Sequence, residues 1–168
     1  MRIILNIIRT IFIFFFAFLI FFEGVMYFQT KFLKKDFPNI LGYAVLVVKT
    51  GSMEPIIKTG SSILVKVSDG YYVGDIVVYS EGNSYVTHEI ISIDGYKYET
   101  KGKANNKSEI ITRDKIKAKV INNQDWFSNL MTNIRNPIIL ITLGVLGLII
   151  PEILLNIFKK TEKVVVKK

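Results

Sequence analysis

The hydrophobic pattern divides the chain into two apolar ends and a mixed centre. Residues 1–28 contain twelve consecutive apolar residues at positions 11–22, and residues 137–158 are apolar apart from three late interruptions. Each end approaches the roughly 20 residues that a helix needs to cross a bilayer. A run of Ile, Phe, Leu and Ala without a polar face is not suited to the surface of a soluble protein. We therefore predict a transmembrane helix at each end.

Charged residues beside the two spans predict their orientation. The first span begins with Arg2 and Arg9, as signal peptides do, but no small-x-small cleavage pattern follows, so we expect an uncleaved signal anchor. Basic residues favour the cytoplasmic side of a membrane. The second span is followed by five lysines: Lys159, Lys160, Lys163, Lys167 and Lys168. These residues predict a multi-pass protein of the cell membrane with both termini in the cytoplasm.

Between the spans, the pattern changes to short β-branched runs separated by Gly, Asp and Asn. Runs at a spacing of about 10 residues are typical of a compact all-β domain. The six predicted strands cover residues 43–49, 61–67, 73–79, 84–93, 96–100 and 116–121. The pair Asp94-Gly95 predicts a two-residue hairpin turn. In that hairpin Ile93 would pair with Tyr96, and His88 would face Lys101.

The predicted fold class is mainly β, with one compact extracytoplasmic β domain between an N-terminal and a C-terminal transmembrane helix. The predicted segments are a signal anchor (1–28), a juxtamembrane linker (29–42), the β domain (43–121), a return segment (122–136), the second transmembrane helix (137–158) and a basic cytoplasmic tail (159–168). Trp126 and Phe127 in the return segment are either anchors at the membrane interface or ordinary core residues.

Composition narrows the possible partners and chemistry. The formal net charge is +8, but five of the positive charges lie in the last ten residues, where anionic lipid is the simpler partner. We therefore expect a lipid bilayer as a partner and no nucleic acid. The chain has no cysteine, which excludes disulfide bonds and a thiolate nucleophile. No residue pattern indicates a metal or another cofactor.

One serine and one histidine are open to two interpretations. Ser52 lies in KTGSMEPIIKTG, residues 49–60, where the flanking Gly and Pro are typical of a structural turn. His88 is the only histidine and lies in a predicted strand, where it would ordinarily be a strand residue. However, a serine hydroxyl becomes a nucleophile when a neighbouring base takes its proton, and imidazole suits that task. The residues alone leave both the turn and a Ser-His site open.

Four stretches, in this order, carry a resemblance to a known family: TGSMEP (50–55), GDIVVY (74–79), YVTHEI (85–90) and TKGKANNKSE (100–109). Behind a signal anchor, they resemble the sequence boxes of type I signal peptidases. The histidine in the third box is similar to the endoplasmic-reticulum and archaeal type, which also occurs in spore-forming Gram-positive bacteria. The usual bacterial type has lysine there. The resemblance covers roughly residues 1–121, plus a C-terminal span found in some members.

The resemblance implies a signal-peptidase-like β domain in a membrane-bound serine endopeptidase that removes signal peptides from exported preproteins. By position, Ser52 resembles the nucleophile and His88 the general base, while the Ser52 N–H and the Thr50 hydroxyl would hold the oxyanion. Family members bind an extended substrate and prefer small side chains at the −1 and −3 positions. Three apolar residues would either contact the membrane surface or pack in the core: Met53, Ile56 and Ile57.

The fourth box departs from the family at both of its acidic positions. This chain has Lys103 and Glu109 where the family typically has aspartates. Glu109 keeps the charge and would accept a hydrogen bond from His88, as the third member of a triad does. Lys103 would lower the pKa of His88, pair with Glu109, or serve as the base itself. The changed box also leaves open a catalytically impaired signal-peptidase-like membrane protein that binds exported partners.

Overall fold

The computed structural model describes residues 2–165, which form two compact units. One unit contains the described parts of residues 1–34 and 133–168, and the other contains residues 35–132. The first unit is built from two long helices, α1 (Arg2–Lys31) and α3 (Pro137–Val165). The second unit is the β domain.

The two long helices pack against each other through aromatic rings and glycines. Phe16 of α1 lies against Gly144 of α3, and a Cβ atom at Gly147 would overlap the ring of Phe12. Small residues at such positions let apolar helices approach closely. By length and composition, both helices are able to cross a membrane.

The predicted basic tail falls largely outside the described part of the chain. Lys167 and Lys168 lie beyond residue 165, and the side chains of residues 158–165 are likewise outside the description. The predicted orientation, with both termini in the cytoplasm, therefore remains a prediction.

The β domain contains one seven-stranded antiparallel sheet in the order β1-β2-β7-β3-β4-β5-β6. The strands are β1 (Tyr43–Val47), β2 (Ser62–Lys66), β3 (Ile76–Glu81), β4 (Ser84–Asp94), β5 (Lys97–Lys101), β6 (Glu109–Thr112) and β7 (Ile116–Asn122). Short 3₁₀ helices lie at Gly51–Met53 and Arg113–Lys115, and helix α2 spans Asp125–Arg135. The prediction of a mainly β domain is confirmed.

The six predicted strands are present, and a seventh was missed. This strand, β6, has only four residues, EIIT, and follows a polar loop. Such a short segment shows too little alternation of polar and apolar residues to be recognised. The omission matters because β6 begins with Glu109, one of the candidate site residues.

The predicted turn between β4 and β5 is wrong by one residue. Asp94 pairs with Lys97, so the two-residue loop consists of Gly95 and Tyr96 instead of Asp94 and Gly95. Gly95 has a φ of 55°. A positive φ at the first loop position is what a type II′ turn requires, and glycine supplies it without steric cost. Ile93 therefore pairs with Tyr98.

A bulge further along the same hairpin shifts the register again. The pairing is irregular between Ile90 and Ser92, and beyond it Glu89 pairs with Lys101. His88 therefore does not face Lys101, as the predicted turn required. On strand β4, His88 is one residue past the last pair with β5, so it faces the loop that follows β5. A bulge of this kind cannot be inferred from a turn, because it depends on local strand bending.

The core has two clusters, one on each face of the central strand β3. Successive strand residues point to opposite faces, and Val77, Val78 and Tyr79 are all buried. Val78 belongs to the first cluster with Phe37, Ala44, Val48, Met53, Ile57, Ile63, Val65 and Ala118. Val77 and Tyr79 belong to the second with Tyr71, Ile90, Ile111 and Ile116. Strand β3 is thus covered on both sides.

The burial of individual residues decides between the interpretations of the apolar candidates. Met53 and Ile57 are fully buried in the first cluster, so they are core residues, whereas Ile56 is exposed. In α2, Phe127 is buried and Trp126 is exposed. Core packing therefore accounts for Met53, Ile57 and Phe127.

Candidate functional site

Ser52 is carried by a short 3₁₀ helix whose neighbours are anchored in the core. The helix follows edge strand β1 and is closed by one backbone hydrogen bond of 3.0 Å. Met53, directly after the serine, and Ile57, five residues after it, are fully buried. Ser52 itself is partly exposed. The loop therefore presents a hydroxyl group from a backbone that core packing holds in place.

The end of the same loop is closed by a carboxylate. Glu54 accepts hydrogen bonds from the Thr59 N–H at 3.2 Å and from the Thr59 hydroxyl at 2.9 Å. These bonds lower the pKa of Glu54. The Gly60 N–H then donates to Val48 O at 2.8 Å, which joins the two ends of the loop.

A second loop, residues 102–105, meets the backbone of Ser52. The Ala104 N–H donates to Ser52 O at 2.9 Å. A Cβ atom placed on Gly102 would lie 2.6 Å from Ser52 O and 2.9 Å from His88 Nε2. Neither distance is tolerable for a carbon atom, so this position needs glycine because of the close approach.

The convergence at Gly102 brings the predicted base close to the backbone of the predicted nucleophile. Both Ser52 O and His88 Nε2 lie within 2.9 Å of the position that a Cβ atom of Gly102 would occupy, so these two atoms are close to each other. His88 is 2% exposed, on strand β4. Its Nε2 atom lies 3.4 Å from Asn105 Nδ2. Among the described residues, no hydrogen bond joins the Ser52 hydroxyl to His88.

Glu109 reaches His88 through a tyrosine, which corrects the predicted direct contact. Tyr79 Oη lies 2.9 Å from His88 Nδ1 and donates to Glu109 Oε2 at 2.6 Å. His88 pairs with Val77 of β3, so Tyr79, two residues further along the strand, shares its face of the sheet. The three side chains therefore form one hydrogen-bonded chain.

Sequence reasoning missed Tyr79 and Asn105 as site residues. Tyr79 ends an apolar run, where an aromatic residue is expected to be a core residue, and Asn105 lies in a polar loop. The sole signal for either was its place within GDIVVY and TKGKANNKSE, two of the stretches that carry the family resemblance. Neither stretch indicates by itself that these residues contact a histidine.

Burial keeps His88 uncharged at neutral pH. It lowers the pKa of the imidazole below the ordinary value, and the carboxylates of Glu109 and Glu81 oppose this effect without cancelling it. A buried histidine loses hydration when it is protonated, which disfavours the imidazolium form. The ring is therefore available as a proton acceptor.

Lys103 forms an ion pair with Glu89, which none of the predicted alternatives included. The distance between Lys103 Nζ and Glu89 Oε2 is 2.5 Å. Glu89 directly follows His88 on β4, so its side chain points to the opposite face of the strand. The predicted pairing with Glu109 is therefore wrong. The pKa of His88 is lowered, as the first alternative predicted, but burial is the cause.

Thr50 and Ser52 both line a groove of about 380 Å³. One wall is strand β1, at the end of the sheet order, and the other includes Tyr85 and Thr87 of β4. Thr50 is exposed and has extended backbone geometry. Ser52 thus lines a groove beside the strand that ends the sheet order.

Comparison with known proteins gives a partial match. The chain is 40% identical over 76 residues to Signal peptidase I W of Bacillus subtilis (strain 168), which covers 40% of this chain and 40% of that protein. The chain thus matches well under half the length of this curated relative. No family model matches the chain. The similarity supports a signal peptidase I-like relationship for part of the chain.

The titration of His88 tests the effect of burial. Because the chain has one histidine, its ring protons give one set of NMR signals in the full chain in detergent micelles. We expect a midpoint below about 6.5 in the folded protein, since burial disfavours the imidazolium, and a midpoint near 6.5 in urea. A folded-state midpoint at or above the urea value would contradict this environment.

The close approach at Gly102 predicts that a single methyl group is costly there. Gly102→Ala should reduce the free energy of unfolding by about 1–3 kcal/mol, because Ser52 O or His88 must move. Urea unfolding in mild detergent, followed by circular dichroism, measures this change. Gly70→Ala is the matched control, since its new Cβ would lie 3.5 Å from the nearest side-chain atom, Tyr72 Oη, which is an ordinary contact distance. Equal stability of the two variants would refute the constraint.

Proposed function

We propose that this chain is a membrane-bound serine endopeptidase that removes N-terminal signal peptides from exported proteins. The observation that carries the proposal is the convergence of Ser52 and His88 at Gly102, in a chain partly similar to Signal peptidase I W. A turn would account for Ser52 alone. It would not account for a neutral, buried histidine with Nε2 beside that turn.

In the proposed reaction, Ser52 Oγ attacks the carbonyl carbon of the scissile bond and transfers its proton to His88 Nε2. The imidazolium then gives this proton to the leaving amine, which departs and leaves an acyl-enzyme. A water molecule then gives a proton to His88 and attacks the acyl carbon, and the serine is released when it takes this proton back. The Ser52 hydroxyl has to replace Asn105 at Nε2, and such contacts often tighten when substrate binds.

The oxyanion would be held by the Ser52 N–H and the Thr50 hydroxyl. The Ser52 N–H lies in the first turn of its 3₁₀ helix, where N–H groups have no partner within the helix. Thr50 lies on the same groove as the serine. A donor aimed at the developing negative charge is worth about 3–4 kcal/mol in comparable enzymes.

An extended substrate segment fits the groove beside β1. Strand β1 ends the sheet order and forms one wall of the groove that Ser52 lines, so we place the extended substrate along this strand. Alternate side chains of the peptide would then point into the groove between β1 and β4. Exported preproteins with cleavable signal peptides are the proposed partners.

The two apolar helices supply the membrane context. Both are long and apolar enough to cross a bilayer, and few residues in their most apolar parts are buried. We place both termini in the cytoplasm and the β domain on the outer side, where signal peptides of exported proteins are cleaved. The lipid bilayer is the second proposed partner.

Replacement of the nucleophile or the base tests the proposed reaction. Ser52→Ala and His88→Ala should each reduce preprotein cleavage by about 10³-fold or more, because the attacking group or its base is lost. Cleavage is measured with membranes that contain each variant. Ser92→Ala, an exposed serine on β4, is the matched control and should cleave normally.

Full activity of Ser52→Ala would remove Ser52 from the mechanism. If the wild type bound the preprotein and failed to cleave it, and Ser52→Ala bound it equally well, the chain would instead be a catalytically impaired binding protein.

The ion pair of Lys103 predicts a supporting role for this residue. Lys103→Met should keep cleavage within about tenfold of the wild type, because a partly exposed ion pair contributes about 0–1 kcal/mol. Lys58→Met, which removes the exposed ion pair with Asp125, is the control for loss of a paired lysine. If Lys103→Met were as inactive as His88→Ala, Lys103 would have a catalytic role of its own instead of a supporting one.

A further inference from the structure

We infer that Tyr79 is a positioning residue that holds His88 in the tautomer protonated at Nδ1 and connects it to the Glu109 carboxylate. The inference rests on the proposed function, because it assigns a role in activating the proposed base. Its structural basis is independent of activity: two short hydrogen bonds meet at one hydroxyl group.

The number of available protons determines the direction of each bond. A carboxylate only accepts hydrogen bonds, so Tyr79 must use its single hydroxyl proton for Glu109, at 2.6 Å. The Tyr79 oxygen can then only accept at 2.9 Å from His88, which requires a proton on Nδ1. In a neutral ring, Nε2 then carries the lone pair. This is the atom that lies beside Gly102 and Asn105.

The environment of Tyr79 keeps its proton in place. Tyr79 is 1% exposed. Burial raises the pKa of its hydroxyl well above the ordinary value, and the hydrogen bond to Glu109 raises it further. The hydroxyl therefore remains a donor to Glu109 throughout the range in which His88 titrates.

A tyrosine between histidine and carboxylate avoids the burial of a charge. Glu109 is exposed, whereas His88 is 2% exposed. Burying a carboxylate beside the ring would remove its hydration, which is unfavourable for a charged group. With Tyr79 as the link, the carboxylate remains in water. The oriented hydroxyl still presents its oxygen to Nδ1, where it stabilises the imidazolium that forms when Ser52 loses its proton.

Few other charges act on this chain of bonds. Besides Glu109 on β6, the carboxylate that affects His88 is Glu81 on β3. Lys103, in the loop after β5, is paired with Glu89 of β4. The effect of Tyr79 on the titration of His88 is therefore separable from that of a neighbouring cation.

The tautomer is measured directly, because the chain has one histidine. We expect ¹⁵N-histidine-labelled wild type, in detergent micelles above the titration range, to carry its proton on Nδ1. In Tyr79→Phe, Nδ1 loses its acceptor, so the signals should shift toward the form protonated at Nε2. Tyr71→Phe changes a buried tyrosine of the same cluster and should leave the tautomer unchanged.

Cleavage kinetics give a second measurement. Tyr79→Phe should reduce kcat by about 10- to 100-fold with little change in KM, as expected for a lost hydrogen bond to a group that becomes charged. The acidic limb of its pH profile should move to lower pH. The imidazolium is less stabilised in this variant, so His88 stays neutral down to a lower pH. A purely structural defect would lower activity at every pH without moving that limb.

Glu109→Gln provides a test at an exposed position, if Tyr79→Phe does not fold. Removal of the negative charge should lower the titration midpoint of His88. An unchanged midpoint, or a wild-type ring protonated at Nε2, would overturn the inference. If instead the wild type has the expected tautomer but cleaves no preprotein, the proposed function fails while the role of Tyr79 in holding the ring stands.

Discussion

The close approach of two loops at Gly102 is the constraint on which the candidate site depends. Ser52 O and His88 Nε2 come so near to Gly102 that no Cβ atom fits between them. The hydrogen bond from Ala104 to Ser52 holds the loops at this separation. The position of the serine relative to the histidine is thus determined by backbone packing. Since interiors are densely packed, a small added volume there would displace one of these groups.

The hydrogen bond between Tyr79 and Glu109 requires the sheet to be curved. Strands β3 and β6 are separated by two others, which in a flat sheet would place them about 14 Å apart. Yet Tyr79 on β3 and Glu109 on β6 share a hydrogen bond. Their side chains meet because both are long and because the sheet coils around the second core cluster.

These contacts give the two changed acidic positions separate roles. Lys103 is paired with Glu89 outside the chain of bonds that reaches His88, so its positive charge is balanced locally. Glu109 keeps a negative charge, but at the surface and through Tyr79. His88 therefore has a carboxylate behind it even though neither aspartate of the resembled family is present.

Local patterns in the sequence were sufficient for the mainly β class, the two apolar helices and six of the seven strands, because alternation and long apolar runs are properties of neighbouring residues. They also identified Ser52 and His88 as candidates. The hairpin register, strand β6, and the contacts of Tyr79, Lys103 and Glu109 required the folded chain. A bulge shifts the register, and residues 30 positions apart meet only when the sheet curves. Such contacts depend on the packing of distant segments, which the order of residues along one segment does not specify.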